Sequence, residues 1–297
     1  MNDAALHFVE IISTVGDAAL LEELLCSLEL PSSSYSNLET GKSSILLHCD
    51  NAFAAKELAQ NLRRQLPLWQ DFLSQPVLHV KPIVMRKEDW AESWKRHFHS
   101  FKASERIVVK PSWESYEAQP GELVLELDPG MCFGTGYHGT TKACLRLMDS
   151  LQAELGTGIS FLDAGCGSGI LSIAAKILGY APVLAFDHDP QAVCTATENL
   201  QTAGYVDVIP EQGDVQDYRP AQPCRVVAAN ILASVLVEHA ENIVGYVDKS
   251  MMPGYLILSG ILHEQYEEVK ARYVALGLEE RTKISLDEWS SACFLVS

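Results

Sequence analysis

The sequence has no apolar run near the ~18 residues needed to cross a bilayer. Its first residues, Met1-Asn2-Asp3-Ala4-Ala5, carry no basic stretch. A membrane span is therefore ruled out on this reading, and no Sec-type signal is expected. Basic residues are scarce: 22 Lys and Arg stand against 39 Asp and Glu, for a formal net charge of −17. A duplex-coating protein needs the opposite sign, so no direct nucleic-acid binding is expected. The same charge would attract a basic protein partner. Paired cysteines are missing as well. The 8 cysteines (Cys26, Cys49, Cys132, Cys144, Cys166, Cys194, Cys224 and Cys293) are scattered without a CxxC spacing. They point neither to a metal site nor to a disulfide framework. Most sit in apolar settings such as Ala143-Cys144-Leu145, where cysteine acts as a small hydrophobe, and the reading is a reducing cytoplasm. No internal repeat or low-complexity tail occurs.

What is present suffices for two domains. The chain has 297 residues, 47% of them hydrophobic, about twice a usual domain of ~150 residues. Its first 82 residues alternate as strand (6–12), helix (17–28), a weak strand (36–39) after a polar stretch (31–36), strand (44–48), helix (52–66) and strand (77–80). This is the β-α-β-β-α-β order of the ferredoxin-like plan. In Arg86–Phe98, Trp90, Trp94 and Phe98 share one helical face, which reads as a linker helix docked between domains. Beyond Arg106, short apolar strands at 160–164, 183–187, 206–209, 226–230 and 255–259 alternate with helices starting near Gly169, Pro190, Ala233 and Glu264. A final strand spans 292–296. Near-continuous apolar strands between helices predict a parallel sheet covered on both faces.

Three segments carry chemistry. In Phe161-Leu162-Asp163-Ala164-Gly165-Cys166-Gly167-Ser168-Gly169, glycines fall where a strand turns into a helix and a ligand must approach the backbone. Asp187 ends the next strand, at the spacing of a carboxylate that binds ribose hydroxyls. A nucleoside cofactor follows. Ile170 stands where a dinucleotide fingerprint wants its last glycine, and Asp163 would repel a pyrophosphate. S-adenosylmethionine carries an ammonium and a sulfonium and no phosphate, so a carboxylate suits it better than NAD. In the second segment, Asp128 to Thr141, glycines and threonines lead into a helix over 141–151. That shape allows close ligand approach, with a hydroxyl at the helix start. His138 within it reads more readily as structural than as catalytic. The third segment, Ala229-Asn230-Ile231-Leu232-Ala233, closes a strand at the sheet edge where ligands bind. Asn230 there offers a neutral acceptor to an amine; a cap for the next helix is the competing role.

Taken together, DPGMCFGTGYHGTT, LDAGCGSGILSIAAKILG, AFDHDPQAV, ANILA and LSGIL resemble the ribosomal protein L-eleven methyltransferases. EDWAESWKRHFH in the linker and DEW near the C-terminus resemble the same family. The resemblance covers residue 86 onward. It implies a doubly wound, Rossmann-like class I methyltransferase domain (101–297). A linker helix (83–100) and a small α+β ferredoxin-like domain (1–82) that captures the substrate would precede it. The cofactor implied is S-adenosylmethionine. The implied partner is a basic large-subunit ribosomal protein, methylated on lysine side chains and on its N-terminal amine by a monomeric cytoplasmic enzyme. Family cofactor positions fall on Thr141, Gly165, Asp187 and Asn230; Gly167 and Asp163 join them from the loop itself. Asn230 is the residue expected to act in catalysis, by aiming the amine lone pair, and no dedicated base stands out. Gly139 departs from the larger residue usual there and is expected to loosen its loop.

Other readings remain open from the sequence. A glutamine-directed methyltransferase would carry Asn-Pro-Pro-Tyr at the strand end, and residues 230–233 lack both prolines and the aromatic ring. A non-catalytic cofactor-binding protein of ribosome assembly could share every loop. An NAD oxidoreductase conflicts with Asp163 and with Ile170.

Overall fold

The computed structural model describes residues 5–26, 28, 30, 32–37, 40–86, 98–128, 138–250 and 253–296. The chain divides into two compact units, Met1–Phe98 and His99–Ser297. Among the described residues no helix is long and apolar enough to cross a membrane.

The first unit runs β1 (Ala5–Thr14), α1 (Val15–Cys26), β2 (Ser32–Asn37), β3 (Lys42–Cys49), α2 (Ala52–Trp69) and β4 (His79–Arg86). Its sheet is antiparallel in the order β2-β3-β1-β4. Alternation sends Val9, Ile11, Ile45, Leu47 and Val80 to one face, where they pack with Leu21, Leu25, Ala55, Ala59 and Leu62. The Asn51 side chain starts α2 by accepting from the backbone N–H groups of Phe53 and Ala54. Two strands differ from expectation. β2 occupies the serine-rich stretch expected to be loop, because an edge strand paired only with β3 needs no apolar period. β4 starts two residues later than expected and passes through Pro82, which an edge position tolerates. Of the expected linker helix, residues 83–86 thus belong to a strand and 98–100 to no helix, while 87–97 lie outside the described residues.

The second unit opens with a small sheet, β5 (Phe101–Lys102), β6 (Ile107–Lys110) and β7 (Leu123–Glu126), that the sequence reading did not anticipate. There follow α3 (Gly139–Leu155), β8 (Phe161–Ala164), α4 (Ile170–Leu178), β9 (Val183–Asp187), α5 (Pro190–Thr202), β10 (Glu211–Gln212) and β11 (Val226–Asn230). The chain ends with α6 (Ala233–Glu238), α7 (Ala240–Gly245), β12 (Gly254–Leu262), α8 (Tyr266–Ala275), β13 (Glu279–Leu286) and β14 (Trp289–Val296). The main sheet is ordered β10-β9-β8-β11-β12-β14-β13. It is parallel from β10 to β12, with β14 antiparallel to both its neighbours.

Both faces are buried, and alternate residues separate them. Phe161, Val226, Ala228, Tyr255 and Ile257 pack with residues of α3 and α4, whereas Leu162, Ala164, Val227, Ala229, Leu256 and Leu258 pack with residues of α6, α7 and α8. This is the doubly wound α/β architecture expected. From β8 the chain steps outward to β9 and β10, then returns to β11 on the other side. The reversal opens a crevice beyond the carboxyl ends of β8 and β11, the usual ligand site of such sheets.

Three expectations need correction here. Residues 206–209 form no strand: Val206 and Ile209 are exposed, only Val208 reaches the core, and the outermost strand comes two residues later. α8 begins at Tyr266, not near Glu264. β13 was not foreseen, because its alternately exposed, charge-rich sequence is that of an edge.

Candidate functional site

The glycine turn after β8 is held against β9 by its own backbone. Gly165 N–H and Cys166 N–H both donate to the Phe186 carbonyl, at 2.9 and 3.0 Å. Gly165 has φ +77°, and a Cβ there would fall 2.4 Å from Ile231 Cγ2. Only glycine satisfies both conditions. Asp187 sits at the end of β9 and organises the same loop: one carboxylate oxygen accepts from Gly167 N–H at 2.8 Å, the other from Asp189 N–H at 3.0 Å. His188 Nδ1 lies 3.3 Å from that second oxygen. Gly213 N–H donates to the Asp187 backbone carbonyl at 2.9 Å, which brings the segment after β10 to the same crevice.

Asp163 lies inside the sheet at 1% exposure. Its Oδ2 accepts from Ser172 Oγ at 2.7 Å, while Oδ1 has no partner among the described residues. Burial pushes its carboxyl up to about 7; the Ser172 bonds oppose that shift and the Asp187 charge adds to it.

Two more buried oxygens are left without partners among the described residues: Thr141 Oγ1 and Asn230 Oδ1. Buried polar atoms are nearly always paired, so three such oxygens in this unit require an explanation, and a ligand supplies one. Asn230 ends β11 and is paired in register with Ser259 of β12. Ser259 Oγ in turn donates to the Thr140 carbonyl at 3.1 Å, which ties the start of α3 to that edge. Ile231 fills the gap between two glycines: Gly165 on one side, and on the other Gly260, with φ +82° and a virtual Cβ 2.2 Å from the Ile231 carbonyl oxygen.

The six expected cofactor positions thus meet at one edge. Gly167 and Asp187 are bonded directly. Gly165 and Asn230 are joined through Ile231, Thr141 through Thr140 and Ser259, and Asp163 stands two residues before Gly165. Gly260 and Ser259 belong to the site and were missed; the Ser-Gly pair inside an apolar strand was the signal for them.

His138 stands just before α3 with Nδ1 2.8 Å from Thr140 Oγ1, and its ring lies 4.8 Å from that of Trp289. Burial lowers its pKa to about 4; nearby Asp287 opposes the shift and Lys142 adds to it. The ring is therefore neutral at pH 7. Gly139 does not loosen this segment. It is buried, and a Cβ there would stand 3.1 Å from the Leu286 carbonyl and 3.3 Å from Asp287 Oδ2. Its missing side chain lets the β13–β14 turn close over the helix start. Both carboxylate oxygens of Asp128 accept from Ser112, one from N–H at 2.6 Å and one from Oγ at 2.8 Å. Residues 129–137 of the second segment lie outside the described residues.

Comparison with known proteins agrees with this geometry. Residues 17–295 match the family model described as ribosomal protein L11 methyltransferase (PrmA). A ribosomal protein L11 methyltransferase of Citrifermentans bemidjiense is 42% identical over 222 residues, covering 73% of this chain and 71% of that protein. One from Herpetosiphon aurantiacus is 35% identical over 296 residues, covering 92% and 88%. A crystal structure of ribosomal protein L11 methylase from Lactobacillus delbrueckii subsp. bulgaricus superposes with TM-score 0.59 at 26% identity, over 66% of this chain and 98% of that one. A doubly wound sheet, a glycine turn aimed at a strand-end carboxylate and relatives along nearly the whole length lead to one assignment: the chain belongs to the ribosomal protein L11 methyltransferase family.

Proposed function

We propose that this protein methylates amino groups of ribosomal protein L11, with S-adenosylmethionine as the methyl donor. The observation that carries the reading is the trio of buried oxygens on Thr141, Asp163 and Asn230 that have no partner among the described residues. When bound, S-adenosylmethionine supplies a methyl group on a positively charged sulfur. The residues present suit such a ligand. Gly165 and Gly167 let backbone come close, Asp187 keeps lone pairs for ribose hydroxyls, and Asp163 favours positive charge over a phosphate. Thr141 and Asn230 provide further neutral acceptors.

The acceptor must be a neutral amine, yet free lysine has a pKa near ~10.4. Asn230 fits that need: its Oδ1 accepts an N–H and so aims the lone pair, without the negative charge that would hold the amine protonated. Desolvation in the crevice favours the neutral amine in the same direction. His138, uncharged at neutral pH, neither repels the incoming chain nor supplies a charge. Rate enhancement then rests on orientation. Within this reading the modified groups are lysine side chains and the N-terminal amine. The first unit, Met1–Phe98, recognises the protein substrate, and the second, His99–Ser297, carries the reaction. The net charge of −17 suits a basic ribosomal protein. Mass spectrometry of purified L11 after incubation with enzyme and S-adenosylmethionine tests the proposal. Mass increments of ~14 Da on lysine or the N-terminus are expected; unmodified L11 contradicts it.

A further inference from the structure

Two fully buried hydroxyls stand behind this site. Ser259 Oγ donates to the Thr140 carbonyl at 3.1 Å, and Ser291 Oγ lies 2.7 Å from Ser259 Oγ. A hydroxyl has a single proton; with that of Ser259 on the carbonyl, the proton between the two serines comes from Ser291. The three groups form a hydrogen-bonded chain that links Ser291 of β14, Ser259 of β12 and Thr140 of α3. All three residues are at 0% exposure.

Packing does not account for this chain. Alanines would fill nearly the same space and bring no hydroxyl to satisfy. Nor does α3 require the bond, since a carbonyl in its first turn is already served by the helical ladder. What the chain does join is specific. Ser259 is the register partner of Asn230, and Thr140 immediately precedes Thr141. Two of the unpartnered buried oxygens, Asn230 Oδ1 and Thr141 Oγ1, are thus carried by the strand pair and the helix turn that this relay connects.

We propose that Ser259 and Ser291 are positioning residues for methyl transfer, fixing the spacing between Thr141 and Asn230 across the sheet–helix junction. The inference rests on the functional reading above. Neither serine touches a reacting atom; Ser259 acts on the helix start, and Ser291 acts by orienting Ser259.

The test uses the full-length enzyme with L11 and S-adenosylmethionine. Ser259→Ala is expected to lower kcat by about 10–100-fold, the scale of a small misplacement of aligned groups, with KM for L11 held within about 2-fold. Ser291→Ala leaves the Ser259–Thr140 bond in place and should lower kcat by a smaller factor, about 3–10-fold. Ser104→Ala is the control for stability alone. It removes another buried hydroxyl, which donates to Asp149 Oδ2 at 2.6 Å, remote from these residues in the hydrogen-bond network, and should keep wild-type kcat. Wild-type kcat in both serine variants, a loss no larger than in Ser104→Ala, or a change confined to KM would overturn the inference. Should Ser259→Ala fail to fold, Ser291→Ala decides on the same readouts. Crystal structures of Ser291→Ala and wild type supply a readout independent of turnover: the separation of Thr141 Oγ1 from Asn230 Oδ1 is expected to change by about 0.5 Å, and an identical separation counts against the proposal. An inactive wild type would sink the functional reading, and that separation would still judge the serines.

Discussion

Asp17 in the first unit and Asp163 in the second are both buried carboxylates, and they are handled in opposite ways. In the first unit Asp17 accepts from Thr14 Oγ1 (2.8 Å), Ser74 N–H (2.7 Å), Ser74 Oγ (2.9 Å) and Gln75 N–H (3.1 Å). In the second, Asp163 accepts from the Ser172 side chain and leaves Oδ1 unpartnered among the described residues. Burial raises the pKa of both, but the four donors around Asp17 outweigh it and leave that carboxyl below its ordinary value. For Asp163 burial wins. A saturated carboxylate is a structural staple, here binding the turn after α2 to the start of α1. An unsaturated one carries a cost that protonation relieves and that a cationic ligand can offset, so its protonation is open to that ligand.

The contrast can be broken experimentally, beginning with the staple. Asp17→Asn should cost about 1–3 kcal/mol, because it puts an amide where the Ser74 and Gln75 N–H groups need an acceptor. Denaturant unfolding measures this, and cofactor affinity should stay at the wild-type value. The sign with pH follows from the lowered pKa. The Asp17 contribution is present above the unfolded-state value near ~3.9 and disappears as pH falls through the folded-state value. Asp187→Ala should weaken S-adenosylmethionine binding about 10–100-fold in titration calorimetry, the worth of a hydrogen bond to a charged acceptor. Unchanged affinity in a folded variant would remove Asp187 from the cofactor site.

The smallest effect concerns Asp163. Its carboxyl titrates at about 7 in the free protein. A positively charged ligand favours the ionised form, so binding near pH 6.5 should release protons, and affinity should rise as pH climbs through that value. Calorimetry in two buffers of different ionisation enthalpy reads the proton count directly. In Asp163→Asn the release should vanish. The raised pKa also means that Asp163 lowers stability progressively from about pH 4 to pH 7, so Asp163→Asn should gain stability relative to wild type over that range.

Much of this was legible in the chain, for a physical reason. Apolar strands buried on both faces write themselves as continuous runs, and the glycine turn and Asp187 are local patterns, so the parallel sheet and half of the site could be read directly. Edges could not. β2 and β13 are polar strands with one neighbour, whereas 206–209 looks like a strand and is an exposed connection. Nor could the roles of Ser259 and Ser291, since the bond from Ser259 to Thr140 spans 119 positions. Gly139 was misread because its neighbours come from the distant β13–β14 turn. A periodicity argument sees one segment; a glycine's purpose is set by whatever packs against it.

The central claim is that unpartnered buried oxygens in the second unit mark a site of chemistry, not a flaw in packing. Asn230 Oδ1 tests it most directly, through the single-turnover rate of full-length Asn230→Ala at saturating S-adenosylmethionine. If the side chain aims the amine, the rate should fall by about 10²-fold, while Tm holds because no described residue loses a bond to its Oδ1. A wild-type rate in the folded variant would reduce Asn230 to a structural residue and contradict the account.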